Sequence, residues 1–244
     1  MDPTQLPLNI LREDEEFILY RGEHPSRPDS RSVLLLAPSS SQPSLETLKK
    51  LEHEYSLRNE LDPAWAALPV AVTKHIGQTA IVLEDPGGKP LDRFPSGPVD
   101  LKLFLRIAIG LASALGALHK RGLIHKDVKP ANVLFDSGTG EVRLIGFGIA
   151  SRLPRERQAP GPAEIIAGTL PYMAPEQTGR MNRSVDSRSD LYALGVTLYQ
   201  MLTGSLPFTA SEPMEWVHCH IAKQPVPPAD RVQSIPGAVS AIIF

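Results

Sequence analysis

Three side chains able to move a phosphoryl group fall close together in the run His125-Lys126-Asp127-Val128-Lys129-Pro130-Ala131-Asn132. Asp127 can orient an attacking hydroxyl or accept its proton. Lys129, two residues on, can neutralise the group in transfer, and Asn132, five residues on, can reach a magnesium ion. An Asp, Lys and Asn at these intervals, between a helical and an extended stretch, have the layout of a phosphoryl-transfer catalytic loop.

Such a loop needs elements to hold it. Leu103, Ile107, Leu111, Leu115 and Leu118 recur at helical spacing before it, and Gly122 marks the stop. Val133-Leu134-Phe135 and Glu141 to Ile145 follow as short strands joined by a turn over 136–140. Helices are expected from Asp190 to Leu202 and from Pro213 to Ala222, after an irregular Arg- and Pro-rich stretch, 151–167. Upstream, Phe17–Tyr20 and Ser32–Leu36 read as strands. Ser44 caps a helix running to about Leu61, and Val70–Val72 and Ala80–Leu83 read as further strands. Asp85-Pro86-Gly87-Gly88 breaks the pattern and predicts a lobe boundary. Strands first and helices second give an α+β arrangement of two lobes, 1–84 and 85–244.

The 244 residues carry a net charge of −2, with 42% hydrophobic and 21% charged residues. That balance gives no electrostatic reason to expect nucleic acid or an anionic membrane as partner. The single cysteine, Cys219, cannot form an internal disulfide. The N-terminus lacks a signal pattern, and the apolar stretch Ile107–Leu118 is too short to span a bilayer, so a cytoplasmic protein is expected. His218, Cys219 and His220 are adjacent on a helix and cannot converge on one ion, so no metal site is expected there.

The loop and its surroundings resemble the protein kinase family. Gly146-Phe147-Gly148 stands where that family has Asp-Phe-Gly. Gly168-Thr169 through Ala174-Pro175-Glu176 is similar to the end of an activation segment, and Asp190-Leu191-Tyr192-Ala193-Leu194-Gly195 to the start of the central helix. The runs Pro175 to Arg183 and Glu215 to Lys223 further resemble the N-terminal kinase-like domain of bacterial hybrid sensors that carry an ATPase module and a histidine kinase. The resemblance implies Asp127, Lys129 and Asn132 as catalytic residues, weak nucleotide contacts from Leu83, Asp85 and Asn132, and neighbouring ATPase and histidine kinase domains or a partner protein as partners. It also implies that Asp190 tethers the loop and that Thr169 binds Asp127 and Lys129. The family continues with further helices, so the helical lobe is expected to be truncated at its C-terminal end, leaving Glu176 without its usual arginine.

Three nucleotide-handling devices depart from the family's pattern. Between Tyr20 and Val33, where a glycine-rich turn is expected, only Gly22 is present, with Pro25 and Pro28 nearby. Leu36 stands for the phosphate-gripping lysine, and Gly146 for the magnesium-binding aspartate. The helix glutamate that would pair with that lysine is Glu54, with Glu52 as rival. Without its lysine it is expected to be solvated or re-paired. Lys49, Lys50 and Lys74 are read as solvated, and Arg152, Arg155 and Arg157 as part of a solvated loop. ATP and magnesium are therefore expected to bind weakly or not at all. The leading expectation is a pseudokinase signalling module. The alternative is an active Ser/Thr kinase with unconventional nucleotide binding, because Asp127, Lys129 and Asn132 are intact.

Overall fold

The computed structural model describes residues 8–23, 32–94, 97–152, 168–181 and 183–243. The chain begins with β1 (Asn9–Glu13), β2 (Phe17–Glu23), β3 (Ser32–Pro38), helix α1 (Leu45–Ser56), β4 (Pro69–His75) and β5 (Gln78–Glu84). The five strands pair antiparallel in the order β1-β2-β3-β5-β4. The unbroken apolar run of β3 follows from burial on both faces. Leu34 and Leu36 pack with Leu19, Leu51 and Ile81, while Leu35 and Ala37 pack with Ala80 on the other side.

β1 was not expected from the sequence. Of its five residues only Arg12 is buried, so the strand carries no alternating apolar signal. Its presence moves the first hairpin: the turn that should cover phosphates is Asp14-Glu15-Glu16, not the 21–32 connection, whose residues 24–31 lie outside the described residues.

Ser44 caps α1 as expected, its hydroxyl accepting from Thr47 N at 3.0 Å. The helix stops at Ser56 and gives way to a short 3-10 turn, Leu57–Asn59, rather than continuing to Leu61. Replacing Ser44 with alanine should cost ~1 kcal/mol of stability in urea titration, the usual effect of removing a helix cap.

The second part contains β6 (Lys89–Pro90), α2 (Leu101–Lys120), β7 (Leu123–Ile124), β8 (Val133–Phe135), β9 (Val142–Leu144), β10 (Ser151–Arg152), α3 (Ser187–Thr203), α4 (Pro213–Ala222), α5 (Pro228–Arg231) and α6 (Gly237–Ile243). Phe104, Ile107, Leu111, Leu115 and Leu118 of α2 share a core with Ala193, Leu194, Leu198 and Leu202 of α3. At twenty residues α2 is longer than Ile107–Leu118, and by length and composition alone it could cross a bilayer. Its buried side chains instead form this core. α3 begins at Ser187, three residues before the expected start, because Asp186 caps it by accepting from Arg188 N. That places Asp190 in the first turn, facing the loop it must hold.

Candidate functional site

The segment 125–132 leaves β7 and returns to β8, and Asp190 fixes its entry. The Asp190 carboxylate is fully buried. It accepts from His125 N, Lys126 N and His119 Nε2, each at 2.8 Å. Lys126 adopts a left-handed backbone, φ 70°, a conformation that a lysine holds only when its surroundings enforce it. The two amide bonds to Asp190 supply that enforcement. His125 is buried, bonded through Nε2 to Ile145 O at 3.0 Å and packed 4.8 Å from the Phe147 ring. Burial holds its pKa below the usual imidazole value, against the pull of Asp190 and Asp127.

Asp127, Lys129, Asn132 and Thr169 converge. Lys129 Nζ lies 3.1 Å from Asp127 Oδ2 and donates to Thr169 Oγ1 at 2.6 Å. Thr169 donates to Asp127 Oδ1 from both its amide, at 3.0 Å, and its hydroxyl, at 2.8 Å. Asn132 Nδ2 donates to Asp127 Oδ2 and to Asp127 O, each at 2.8 Å. Burial alone would raise the Asp127 pKa. Lys129 and the Thr169 hydroxyl outweigh it and hold the carboxyl below its ordinary value. An ionised carboxylate fixed in this way can orient a hydroxyl donor.

These residues line a cleft of about 530 Å³ between the sheet and the loop. Its other wall carries residues that the sequence reading missed. Arg12, 4% exposed, reaches across from β1 and donates through Nη1 to Asn132 Oδ1 at 2.5 Å and to Ala131 O at 3.0 Å. The amide oxygen suited to a metal is thus occupied by a guanidinium. Lys50 is not a solvated surface lysine: its Nζ donates to both Glu16 oxygens at 2.8 Å, tying the acidic turn to α1. Lys49 and Lys74 are exposed. The signal for the hairpin was present, in an acidic turn before Phe17. The signal for Arg12 was one arginine in a short strand, which nothing local distinguishes.

Gly146 has φ 81°, and a Cβ there would lie 2.7 Å from Asn132 Oδ1, so the backbone takes a left-handed shape with Asn132 packed against it. Leu36 also lines the cleft. Glu54 is neither solvated nor re-paired, contrary to expectation: it is 2% exposed and makes no ion pair among the described residues. Burial pushes its pKa up to about 7, against the lowering effects of the Phe147 amide, the Arg12 guanidinium and the Gly146 amide. Glu52 is exposed, which excludes it as the rival.

Leu83 and Asp85 do not belong to the cleft lining. Leu83 is 1% exposed inside the sheet core. The Asp85 carboxylate is held by Arg21 through two bonds, of 2.6 and 2.8 Å, and by Ser32 Oγ at 2.6 Å. A fork-shaped guanidinium matched to a carboxylate leaves little acceptor capacity for a ligand. Arg152 lies in β10, and Arg155 and Arg157 lie outside the described residues. Glu176 accepts from Ser189 Oγ at 2.6 Å. His220 bonds to Leu170 O at 2.8 Å and to the Tyr192 hydroxyl at 2.7 Å, which accounts for both ring nitrogens.

Residues 70–235 match the family model of the protein kinase domain. Among similar proteins, a serine/threonine-protein kinase PknB of Mycobacterium tuberculosis is 35% identical over 148 residues, covering 61% of this chain and 23% of that protein. A serine/threonine-protein kinase PksC of Streptomyces coelicolor is 36% identical over 169 residues, covering 67% of this chain and 30% of that protein. The chain therefore spans less than a third of the length of these curated relatives. The family match begins at β4, leaving β1, β2, β3 and α1 outside it, while the anchored loop, the 168–176 segment and the central helix lie within. With the loop geometry and this match together, the chain belongs to the protein kinase domain family.

Proposed function

We propose that the chain is a kinase-fold signalling module that transfers phosphate from magnesium-ATP poorly or not at all, and that acts by binding a partner protein or neighbouring ATPase and histidine kinase domains. The observation that carries this reading is the 2.5 Å bond from Arg12 to Asn132 Oδ1, which puts a fixed cation where the family's metal would take an oxygen ligand. Gly146 supplies no carboxylate beside it, Leu36 supplies no phosphate-gripping amine, and the turn over the cleft is Asp14-Glu15-Glu16. A magnesium-bound triphosphate would meet carboxylates where its phosphates need N–H donors, so the residues present do not fit that group.

A second reading, an active serine/threonine kinase, is favoured by the completeness of the Asp127–Lys129–Thr169–Asn132 network and by the names of the relatives. One assay separates the two. The chain is incubated with γ-labelled ATP, magnesium and a generic protein substrate, beside an Asp127→Asn variant. The expected result is no label above that of the variant, and Asp127-dependent label would overturn the proposal. In the same assay Gly146→Asp should create neither labelling nor a magnesium-ATP thermal shift. The new side chain would collide with Asn132, and Arg12 would still hold the amide oxygen.

A further inference from the structure

β1 stands at one edge of the five-stranded sheet and pairs with β2 alone among the described strands. Four of its five residues are not buried, so apolar packing does little to hold it. The exception is Arg12. The register with β2 runs from Ile10 opposite Tyr20 to Arg12 opposite Leu19, so β1 carries one extra residue. A bulge of this kind re-aims the side chain that follows it. Arg12 turns there toward the loop of the facing wall, where Nη1 donates to Ala131 O at 3.0 Å and to Asn132 Oδ1 at 2.5 Å. Its landing point is itself fixed, because Asn132 Nδ2 is bonded to Asp127 O and Oδ2. A second tie runs the opposite way: Arg93 Nε donates to Leu11 O at 2.8 Å. Past the turn, Glu16 fastens the hairpin to α1, accepting from Lys50 Nζ at 2.8 Å and from Thr47 Oγ1 at 3.1 Å.

Resting on the reading of Arg12 as the cation that holds the Asn132 oxygen, we infer that β1 is an autoinhibitory strap laid over the 125–132 loop, with Arg12 as its pin and the Glu16–Lys50 pair as its fixed end. In place, the strap keeps Asn132 covered, at 2% exposure, and sets the width of the cleft through bonds internal to the chain. Bonds from a guanidinium to oxygen are stronger than neutral ones and hold a direction. The two Arg12 bonds and the Arg93 tie act on neighbouring residues of one strand, so lifting β1 breaks all three together. A strand with so few buried apolar contacts opens readily once its polar ties are cut. The ties therefore decide where it lies, and the strand swings about its fixed end when they go.

Paired spin labels on Ile10→Cys, exposed on β1, and Lys102→Cys, exposed on α2, test this in the 244-residue chain with the buried Cys219 replaced by alanine. The pinned strand should give one narrow distribution of interlabel distance. Arg12→Ala should broaden it severalfold while the circular dichroism of the folded chain stays unchanged. Arg12→Lys, which can reach one of the two oxygens, should fall between Arg12→Ala and the parent. Arg93→Ala, at an exposed position, should broaden the distribution less than Arg12→Ala. A distribution as narrow as the parent's in Arg12→Ala would overturn the inference. Should Arg12→Ala not fold, a parent-like distribution in both Arg12→Lys and Arg93→Ala would overturn it. Failure here is distinct from failure of the proposed function. Asp127-dependent phosphotransfer overturns the latter whatever the labels report, whereas a β1 indifferent to Arg12, without phosphotransfer, overturns only the strap.

Discussion

Asp190→Ala should lose ~3–5 kcal/mol of folding stability, the range for breaking a buried charged hydrogen-bond centre. In the wild type this fully buried carboxylate satisfies the buried amide of His125, the amide of Lys126 and the His119 ring. Alanine leaves the buried His125 N–H without an acceptor and takes the acceptor from Lys126 N, weakening the hold on Lys126 at φ 70°. Set against a total stability of ~5–15 kcal/mol for a typical domain, the loss is large enough to move the urea midpoint severely or to unfold the chain. Asp190→Asn keeps one acceptor oxygen and should lose roughly half as much. Urea titration followed by circular dichroism measures both. A loss under ~1 kcal/mol in Asp190→Ala would mean that the loop is anchored by other contacts, and the account of its entry would fail.

The helical part was legible because its signals are local and mutually consistent. The apolar spacing from Leu103 to Leu118, the Gly122 stop and the Asp127-Lys129-Asn132 intervals each restrict the geometry, and all agree with one family pattern. The sheet was half legible. Strands with apolar faces, such as β3 and β5, declare themselves by composition, whereas β1 buries only an arginine and looks like a polar tail. Missing β1 shifted the expected phosphate-covering turn by one hairpin and hid the side chain that most changes the cleft. Arg12 contacts Asn132 across 120 positions of sequence, and no local pattern encodes so remote a contact. The same limit applies to Asp85, whose exposure or pairing depends on Arg21 from another strand. Lys50 was misread for a different reason. A lysine on an amphipathic helix is usually solvated, and here the folded-over turn brought Glu16 to it.

The proposed loss of phosphotransfer rests on the distribution of charge in the cleft more than on the loss of any one residue. The lower wall keeps an ionised aspartate, an oriented lysine and an amide in register. The upper wall offers three consecutive acids and a guanidinium that has already claimed the amide. The contacts of Asp127 with Lys129, Thr169 and Asn132 fix the loop's shape from within the chain. A fixed shape of this kind is what the proposed binding role requires.

The pH dependence of stability should report Glu54 directly. With a folded-state pKa of about 7 against an ordinary value of 4.5, the group binds its proton more tightly in the folded chain than in the unfolded one. The contribution of Glu54 is therefore fully present below about pH 4.5. It is lost as pH rises toward 7 and stays lost above that, by ~3 kcal/mol at full ionisation. Glu54→Gln keeps the shape and an oxygen for the Phe147 and Gly146 amides but has no proton to lose. The variant should match the wild type near pH 4.5 and be more stable by ~3 kcal/mol at pH 8, seen as a higher urea midpoint. Glu52→Gln, two residues away on the exposed face of α1, should follow the wild-type curve at both pH values. Equal stability of Glu54→Gln and wild type at pH 8 would mean that Glu54 ionises without penalty. A cation would then have to reach it in the folded chain, and the account of an unpaired buried carboxylate would be wrong.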